Sequence, residues 1–514
     1  MHTHIIAGKD STPEETLERI QKTLKSENYV LEILSEQNTN GFYSIFIGIK
    51  SSNRFVANGK GITRQLALAS AYGEFMERFM TRFYIYDLWL TKEDPLPWVY
   101  DSSEIWTSTP EFFLQSLIPF YPDTILKPEY CYDINQSEEG DAYCFLPFKT
   151  WDNRLYPIPI TFWRELYTSN GLAYGNNLYE ARVQALCEII ERHIKFQVIR
   201  NGLSLQEIPE TETDSISVYQ HAKALLAHYG LQCKLLDASL GVGFPVTAFL
   251  IFTPTHKDAF LSFGAHPDKE IAIQRTISEA FQGRNLAQTG IDFLNPVVND
   301  KTLTGLPENL ESHFINSTGF LHKNIFKQVP SYPGYFQTFQ GTSEEEWNVL
   351  CQLIEKSGYT VLTRDIFWED HTACHIIVPG FSEIYPYDDI LKKDNEGFCQ
   401  ARNTLLLSIK NGLKDIRKLI EILESPYFEP EKPFGEALGI LFPSSSRASR
   451  LMIRDLLFLL VLVEEGPEHA SFYLDEIEQV TPHHTDLETF RVLQKSGKKE
   501  EIFLILNEIF HFLS

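Results

Sequence analysis

Three segments of this chain carry the same polar pattern within otherwise apolar helical sequence. The pattern places a small residue, a polar or basic residue and two carboxylate or amide residues at relative positions 0, 3, 7 and 10. Its members are Ala67, Ser70, Glu74 and Glu77, then Ala181, Gln184, Glu188 and Glu191, and then Ala272, Arg275, Glu279 and Gln282. At about 100° per residue, these offsets fall on one stripe of an α-helix. Each helix is therefore predicted to turn one polar stripe toward a common neighbour.

A single E-x-x-E-R segment is typical of a solvated helix face, so one copy alone would carry little information. The first helix is nevertheless apolar around much of its circumference, as shown by Leu66, Leu68, Ala69, Phe75, Met76 and Phe79. Ionised carboxylates on a buried helix need partners. The glutamates of the pattern outnumber the arginines that accompany it, which are Arg78, Arg192 and Arg275. This imbalance predicts a divalent cation between the helices.

The net charge of the chain restricts which ligands such a site can hold. Lys and Arg total 45 against 69 Asp and Glu, a formal charge of −24. This field repels nucleic acid and anionic membranes, and it would also repel a polyphosphate. Mg²⁺ removes that objection because it joins carboxylates to substrate phosphates. Arg192 and Arg275 can contact phosphate oxygens directly, and Gly61 and Gly175, before the first two helices, would let backbone N–H groups approach an anion.

Hydrophobic periodicity predicts an α/β body followed by a helical C-terminal region. A length of 514 residues exceeds one hydrophobic core of usual size and predicts two or three domains. Helices are predicted at 13–26, 63–90, 178–200, from about 268, and at 343–357, and strands at 29–34, 42–49, 156–162, 234–237, 245–253, 259–264, 359–367 and 373–378. Residues 91–150 lack periodicity and are predicted to form an irregular insertion. All elements beyond about 397 are predicted to be helical.

Cysteine spacing and apolar runs give no sign of metal binding, export or membrane insertion. The seven cysteines include no C-x-x-C pair, so neither a zinc site nor a disulfide framework is expected. The N-terminus lacks a basic segment followed by an apolar one, and the apolar run 456–463 is too short to span a bilayer. That run is interpreted as a helix buried in a small bundle. We therefore expect a cytoplasmic protein.

Individual histidines and one cysteine have simple structural explanations. His266 precedes the third helix and is interpreted as structural, while Asp268 is predicted to be the N-cap of that helix. Cys187 points away from the glutamate stripe and is expected to be a small core residue. His371 and His375 share one face of a predicted strand, but the sequence shows no third metal ligand beside them.

The helices and several loop segments resemble the ATP-binding signature of the YcaO family. The matching segments are S-x-x-x-E-x-x-E-R at 70–78, Q-x-x-x-E-x-x-E-R at 184–192, R-x-x-x-E at 275–279, GKD at 8–10, NGKG at 58–61, SNG at 169–171, FGAHPD at 263–268 and IVPGFSEIYP at 377–386. Their order and spacing are more similar to the namesake of the family than to its peptide-cyclising members. The resemblance implies mixed sheets with three nucleotide-binding helices in an ATP-binding domain over 1–390, which contains the insertion at about 91–150. A small all-α C-terminal domain over 397–514 would follow.

The resemblance also implies ATP and Mg²⁺ as cofactors and assigns ligands to them. The implied magnesium ligands are Glu74, Glu77, Glu188, Glu191 and Glu279. The residues implied to contact the nucleotide are Lys9, Thr16, Ser70, Glu74, Asn176, Glu180, Gln184, Arg192 and Arg275. Ala173 is a departure, because the namesake usually has a serine at that position.

Members of the family use ATP to phosphorylate an amide oxygen after a nucleophile has attacked the carbonyl, as in azoline or thioamide formation. The chain ends in FHFLS rather than in the proline-rich tail of peptide-cyclising members, which disfavours azoline formation. Similarity to the namesake implies a homodimer that assists β-methylthiolation of a small-subunit ribosomal protein alongside a radical methylthiotransferase. The second hypothesis is an accessory protein that uses ATP to switch its hold on a modifying enzyme without chemistry of its own. No catalytic side chain is identified, and this chemistry does not require one.

Overall fold

The computed structural model describes residues 8–49, 54–86, 88, 103–133, 142–284, 286, 293–392, 394–410, 415–440, 442, 446–480 and 486–510. In this part of the chain, helices and strands are mixed along the sequence up to β15 (His371–Ile377), and the named elements that follow are helical. The predicted α/β class with a helical C-terminal region is therefore confirmed. No described helix is long and apolar enough to cross a membrane.

The α-helices of the first part are α1 (Pro13–Ser26), α2 (Arg64–Met80), α3 (Glu111–Ser116), α4 (Pro128–Cys131), α5 (Ile160–Phe162), α6 (Leu178–Asn201), α7 (Glu210–Thr213), α8 (Ser217–His228), α9 (Lys269–Phe281), α10 (Lys301–Thr304), α11 (Pro307–Asn316) and α12 (Ser343–Lys356). Those after the last strand are α13 (Tyr387–Leu391), α14 (Asn395–Lys410), α15 (Ile416–Leu423), α16 (Phe434–Leu438), α17 (Ile453–Glu464), α18 (Pro467–Val480), α19 (Leu487–Ser496) and α20 (Lys499–Phe510). A π-helical turn (Trp163–Tyr167) follows α5, and short 3₁₀ helices lie at Lys323–Phe326 and Arg447–Ser449.

The strands before β15 are β1 (Glu32–Thr39), β2 (Phe42–Gly48), β3 (Val56–Gly61), β4 (Ile105–Thr107), β5 (Tyr143–Lys149), β6 (Leu155–Pro159), β7 (Leu172–Gly175), β8 (Gln206–Glu207), β9 (Gln232–Asp237), β10 (Val246–Phe252), β11 (Asp258–Ala265), β12 (Asn295–Val298), β13 (Leu321–His322) and β14 (Leu362–Trp368). They form one sheet of order β1-β2-β3, one of order β13-β12-β11-β10-β9-β8, and one of order β4-β5-β14-β15-β7, to which β6 is joined through β5. All pairings are antiparallel except that of β12 with β13.

Each of the three patterned helices packs against a different part of this framework. Helix α2 covers the β1-β2-β3 sheet, and α9 covers β10 and β11. Helix α6 lies between the two larger sheets, in contact with β7 and β15 on one side and with β11 on the other. The framework therefore brings the three helices around one common space.

The predicted start of the first strand and the predicted end of the first long helix are wrong, and the backbone explains both. Asn28 follows α1 with a left-handed φ of 64°, and the N–H of Tyr29 donates to the carbonyl of Leu24, so these residues close the helix before β1 begins. Arg82 likewise has a φ of 65° and ends α2, because a right-handed helix cannot continue through such a residue. Helix α2 therefore stops at Met80 instead of reaching 90.

The described part of the predicted insertion at 91–150 is not irregular. Residues 91–102 and 134–141 lie outside the described residues. The rest contains β4, α3, α4 and β5. Strand β5 pairs with β14 through Lys149 and Thr363 and so belongs to the sheet that also contains β15 and β7. Local periodicity could not show the pairing with β14, because that strand lies far away in the chain. The predicted domain boundary at 390–397 stays a prediction.

The apolar run 456–463 lies within α17, in the interior of the C-terminal helices. Its residues are all buried, and they form one hydrophobic cluster with apolar residues of α15, α18, α19 and α20. The interpretation of this run as a buried bundle helix is confirmed.

Candidate functional site

A cavity of about 870 Å³ lies between α2, α6 and α9. Strand β3, the N-terminal segment at 8–16 and residues 314–317 complete its walls. All the residues predicted to contact ATP or Mg²⁺ line it, namely Lys9, Thr16, Ser70, Glu74, Glu77, Asn176, Glu180, Gln184, Glu188, Glu191, Arg192, Arg275 and Glu279. The structure thus brings the whole predicted set together, while the role of each residue stays a prediction.

A strand glycine packed against the helix that follows it fixes the orientation of each polar stripe. The pairs are Gly61 with Ala67, Gly175 with Ala181, and Gly264 with Ala272. A Cβ atom added to the three glycines would lie 2.6, 2.4 and 2.8 Å, respectively, from a backbone atom of the paired alanine. Position 0 of the pattern is therefore a packing position, which leaves positions 3, 7 and 10 to face the cavity. Gly61 and Gly175 thus serve close strand–helix packing, and the approach of backbone N–H groups to an anion stays a prediction.

At one end of the cavity, every helix has a glutamate paired with a cation. Glu74 pairs with Arg78, and Glu188 pairs with Arg192 at 2.7 Å between Oε1 and Nη1. Both arginines follow their glutamate by four residues on the same helix. Glu279 has no such arginine and pairs instead with Lys60 of β3.

Mutual repulsion among the carboxylates shows in their pKa values. Burial raises the pKa of Glu77 well above its ordinary range, and the carboxylates of Glu188 and Glu74 raise it further. Burial also raises the pKa of Glu191, although the Lys60 ammonium counteracts the shift. A closely bound cation would stabilise the ionised form of both carboxylates.

Two lysines that the sequence reasoning missed alter the predicted charge balance. Lys60 reaches the glutamates from a strand, and Lys195 extends the stripe of α6 one turn beyond Glu191. The Lys195 ammonium donates to the carbonyl of His313 at 2.6 Å and to the hydroxyl of Ser317 at 3.0 Å. Because of these lysines, the count of glutamates against helix arginines does not by itself require a metal. Lys195 follows Glu191 by four residues, so the helix pattern could have identified it from the sequence. Lys60 lies on a strand, so the helix pattern gives no indication of it.

Glu180 is the centre of the other end of the cavity. Its carboxylate accepts hydrogen bonds from the Lys9 ammonium at 3.0 Å and from the backbone N–H of Asp10 at 2.9 Å. The amide of Asn176 donates to both carboxylate oxygens. Burial opposes ionisation, but Lys9 and these hydrogen bonds outweigh it and lower the pKa of Glu180. Thr16 donates to the Asn176 side chain at 2.8 Å and completes the group.

The two arginines predicted to contact phosphate are oriented by backbone carbonyls and loop side chains. Arg275 donates to the carbonyl of Ala265 at 3.1 Å. Arg192 donates to the side chain of Asn170 at 3.3 Å, and its guanidinium lies 4.8 Å from the centre of the Phe314 ring. Asn170 itself donates to the carbonyl of Ser382, so the SNG and PGFSE segments together position Arg192.

The donor chemistry of the cavity fits Mg²⁺, provided that a bound phosphate supplies further oxygens. Carboxylate oxygens are ligands that Mg²⁺ prefers, and it usually binds one or two of them together with substrate phosphates. No group of three or more His, Cys, Asp or Glu side chains among the described residues is arranged to hold a metal ion. Lysine and arginine side chains occupy carboxylate oxygens of Glu74, Glu188 and Glu279 that a metal would use.

Residues interpreted as structural keep that role. The Nδ1 atom of His266 accepts the N–H of Asp268, which in turn caps α9, and Cys187 is buried in the core. His371 contacts the hydroxyls of Tyr174 and Thr23.

His375 is fully buried, and its ring lies against those of Phe148 and Trp163. Ala173, the departure from the namesake, is buried in the core and is not among the residues that line the cavity. The replacement of serine by alanine at position 173 therefore removes no contact from the wall of the cavity.

Three helices that present glutamates and arginines to one cavity define a class of proteins with an acidic ligand site in which basic side chains pair with the carboxylates. A family model described as YcaO cyclodehydratase, ATP- and Mg²⁺-binding, matches residues 58–382. The chain belongs to the YcaO family, and ATP and Mg²⁺ are its cofactors. The predicted resemblance is confirmed.

Relatives in two bacteria match along most of their length. The chain is 34% identical over 484 residues to the ribosomal protein S12 methylthiotransferase accessory factor YcaO of Escherichia coli (strain K12), covering 91% of this chain and 82% of that protein. It is 32% identical to an uncharacterised protein of Haemophilus influenzae, covering 91% of this chain and 83% of that protein.

Solved structures match at lower identity. YcaO from Methanopyrus kandleri, bound with AMPPCP and Mg²⁺, is 18% identical with a TM-score of 0.45, covering 74% of this chain and 94% of that chain. A heterocyclase in complex with substrate and cofactor is 18% identical with a TM-score of 0.47, covering 73% and 53% of the two chains.

Proposed function

We propose that this protein uses ATP and Mg²⁺ to phosphorylate the oxygen of a backbone amide in a protein or peptide substrate. A nucleophile adds to the amide carbon, the carbonyl oxygen takes the γ-phosphoryl group of ATP, and ADP leaves. The observation that carries the proposal is the convergence of glutamates from α2, α6 and α9 on one cavity with Arg192 and Arg275 beside them.

The residues of this chain would hold and orient the reacting groups. The proposed metal ligands are Glu74, Glu77, Glu188, Glu191 and Glu279, and the metal would neutralise charge on the transferred phosphoryl group. Arg192 and Arg275, held by Asn170 and by the carbonyl of Ala265, would clamp phosphate oxygens.

The opposite end of the cavity would hold the rest of the nucleotide. The proposed contacts there are Lys9, Thr16, Ser70, Asn176, Glu180 and Gln184. Lys9, Thr16, Asn176 and Glu180 already form one hydrogen-bonded group, so this wall is ordered before the nucleotide binds.

Release of ADP by the purified full-length protein tests the proposal, with Glu74→Gln and Glu188→Gln as variants. Each variant removes one negative charge and keeps nearly the same side-chain shape. We expect ADP release to fall about 100-fold in both, because charge stabilisation is the main contribution to phosphoryl transfer. Exposed Glu207, which pairs with Lys234 outside the cavity, provides the matched control Glu207→Gln.

The second candidate function is an accessory protein that binds ATP to switch its hold on a modifying enzyme. The ion pairs of Glu74, Glu188 and Glu279 with side chains of the same protein favour it, because they satisfy carboxylates without a metal. If the wild type and both glutamine variants bind ATP but release equally little ADP, this second function replaces the first.

We further propose a biological setting based on the relative in Escherichia coli. That protein is named as a ribosomal protein S12 methylthiotransferase accessory factor. We infer that the present chain is a cytoplasmic homodimer that assists β-methylthiolation of a small-subunit ribosomal protein beside a radical methylthiotransferase. An alternative setting is thioamide formation with a partner protein. Mass spectrometry of ribosomal and other abundant proteins from a deletion strain distinguishes the two through the missing thio-modification.

A further inference from the structure

Lys60 lies among carboxylates contributed by all three patterned helices. Its ammonium pairs with Glu279 of α9, and the carboxylates of Glu191, Glu74 and Glu188 also act on it electrostatically. The Lys60 side chain keeps 34% of its surface accessible and the Glu279 side chain keeps 32%. The pair therefore faces the cavity rather than the protein core.

The backbone that carries Lys60 is fixed by packing on both sides. A Cβ atom at Gly59 would lie 2.0 Å from the carbonyl oxygen of Ala67, and one at Gly61 would lie 2.6 Å from the N atom of Ala67. Strand β3 is also paired with β2 along its whole length, with Lys60 opposite Ser44. Any movement of the ammonium must therefore come from the flexible lysine side chain.

Lys60 supplies to Glu279 the cation that, in the other two helices, comes from an arginine four residues after the glutamate. The residue four positions after Glu279 is Gly283, and the next residue, Arg284, donates to the backbone carbonyls of Glu279, Ala280 and Gln282. Arg284 is therefore committed to the end of its helix. Glu279 takes its positive partner from the strand instead.

A lysine ammonium and Mg²⁺ compete for the same carboxylate oxygens. The two cations repel each other strongly at contact distance, so a metal can bind Glu279 fully only when the ammonium moves away. A triphosphate brings anionic oxygens into the cavity and thereby offers the ammonium a new partner. The arrival of nucleotide would release Glu279 for the metal.

We infer that Lys60 is a phosphate-binding residue whose ammonium holds Glu279 until a nucleoside triphosphate enters. Loading of the metal is thus coupled to loading of the nucleotide. The inference rests on the proposed role of Glu279 as a metal ligand. It adds to that role an order of binding and one further phosphate contact.

Binding of Mn²⁺ to the full-length protein, with and without AMPPCP, tests the inference by electron paramagnetic resonance and calorimetry. In Lys60→Met, we expect Mn²⁺ without nucleotide to bind at least about tenfold more tightly than in the wild type, because the competing charge is gone. We expect AMPPCP to bind at least about tenfold more weakly, because a charged contact to phosphate is lost. Lys60→Arg keeps a cation in place and should keep nucleotide-free Mn²⁺ binding weak.

The matched control is Lys257→Met, which removes an exposed lysine outside the cavity and should behave as the wild type. Circular dichroism of each variant verifies the fold. If Lys60→Met leaves nucleotide-free Mn²⁺ affinity unchanged or lowers it, or leaves AMPPCP affinity unchanged, the inference is overturned.

Glu279→Gln separates this inference from the proposed function. If that variant binds Mn²⁺ with AMPPCP as well as the wild type does, the assignment of Glu279 as a metal ligand fails and the inference fails with it. If Glu279→Gln weakens this binding while Lys60→Met has no effect on nucleotide-free Mn²⁺, only the role of Lys60 is lost.

Discussion

The two ends of the cavity place their carboxylates in opposite electrostatic surroundings. Glu180 accepts hydrogen bonds from Lys9, Asn176 and a backbone N–H, and its pKa is lowered despite burial. Glu77 and Glu191 lie among other carboxylates, and burial raises their pKa values. The first end is electrostatically complete in the protein alone. The second end keeps a demand for positive charge, which is the condition in which a divalent cation binds with the largest gain.

The largest effect should follow from a loss of charge at the incomplete end. In Glu191→Gln, we expect ADP release to fall about 100-fold, because a proposed metal ligand is removed. The measurement is ADP release at saturating ATP and Mg²⁺, with Glu207→Gln as the control. Unchanged release in Glu191→Gln would show that the two ends do not differ in catalytic importance.

A smaller effect should follow from the same change at the complete end. In Glu180→Gln, we expect ATP affinity to fall about tenfold, because Lys9 and the N–H of Asp10 lose a charged acceptor. The rate of ADP release at saturating ATP should change much less than in Glu191→Gln. Calorimetric titration with AMPPCP gives the affinity. A loss of rate as large as in Glu191→Gln would contradict the proposed division between the ends.

The pH dependence of stability should have opposite signs at the two ends. The raised pKa of Glu77 gives stability that is present below the ordinary value of 4.5 and is lost as the pH rises through the raised pKa. The lowered pKa of Glu180 gives stability that is present above 4.5 and is lost as the pH falls through the lowered pKa.

Removal of Glu77 should therefore flatten the upper part of the stability curve. Between about pH 5 and about pH 8, we expect the Tm of metal-free, nucleotide-free protein to fall by about 2 °C more in the wild type than in Glu77→Gln. Differential scanning calorimetry with a chelator present gives this difference. Parallel curves for the two proteins would show that Glu77 keeps its ordinary pKa.

The smallest effect is expected at Ala173, which lies behind the cavity wall rather than in it. Ala173→Ser restores the residue that the namesake usually has. We expect ATP affinity to change less than about twofold, since an added hydroxyl there would face the core. Calorimetric titration is again the measurement, and a clear gain in affinity would show that this position reaches the nucleotide.

Residues of the cavity that share one helix were predicted correctly from local periodicity. Periodicity placed Glu74, Glu188 and Glu279 on matching helix faces, and Asp268 was identified as the cap of α9. Resemblance to the family placed Lys9 and Glu180 in one site although 171 residues separate them. The ion pair between Lys60 and Glu279 was not predictable, because these residues meet only once β3 and α9 have packed together.

Two other wrong predictions have different physical origins. The end of α2 depends on the left-handed backbone of Arg82, which no spacing rule predicts. The pairing of β5 with β14 joins residues that are 214 positions apart, so the segment around β5 taken alone gives no indication of it. A contact across the fold decided the strand pairing, whereas the backbone conformation of one residue decided the end of the helix.

The contacts between strand glycines and helix alanines assign packing and ligand contact to different positions of each patterned helix. Position 0 sets the distance and rotation of the helix on its strand, and it is alanine in all three cases. Positions 3, 7 and 10 are free of that task, so their chemistry can diverge while the helix axis stays in place. Ser70, Gln184 and Arg275 at position 3 illustrate this divergence. Ligand preference in such a scaffold can therefore be redesigned one side chain at a time, without repacking the sheets that hold the helices.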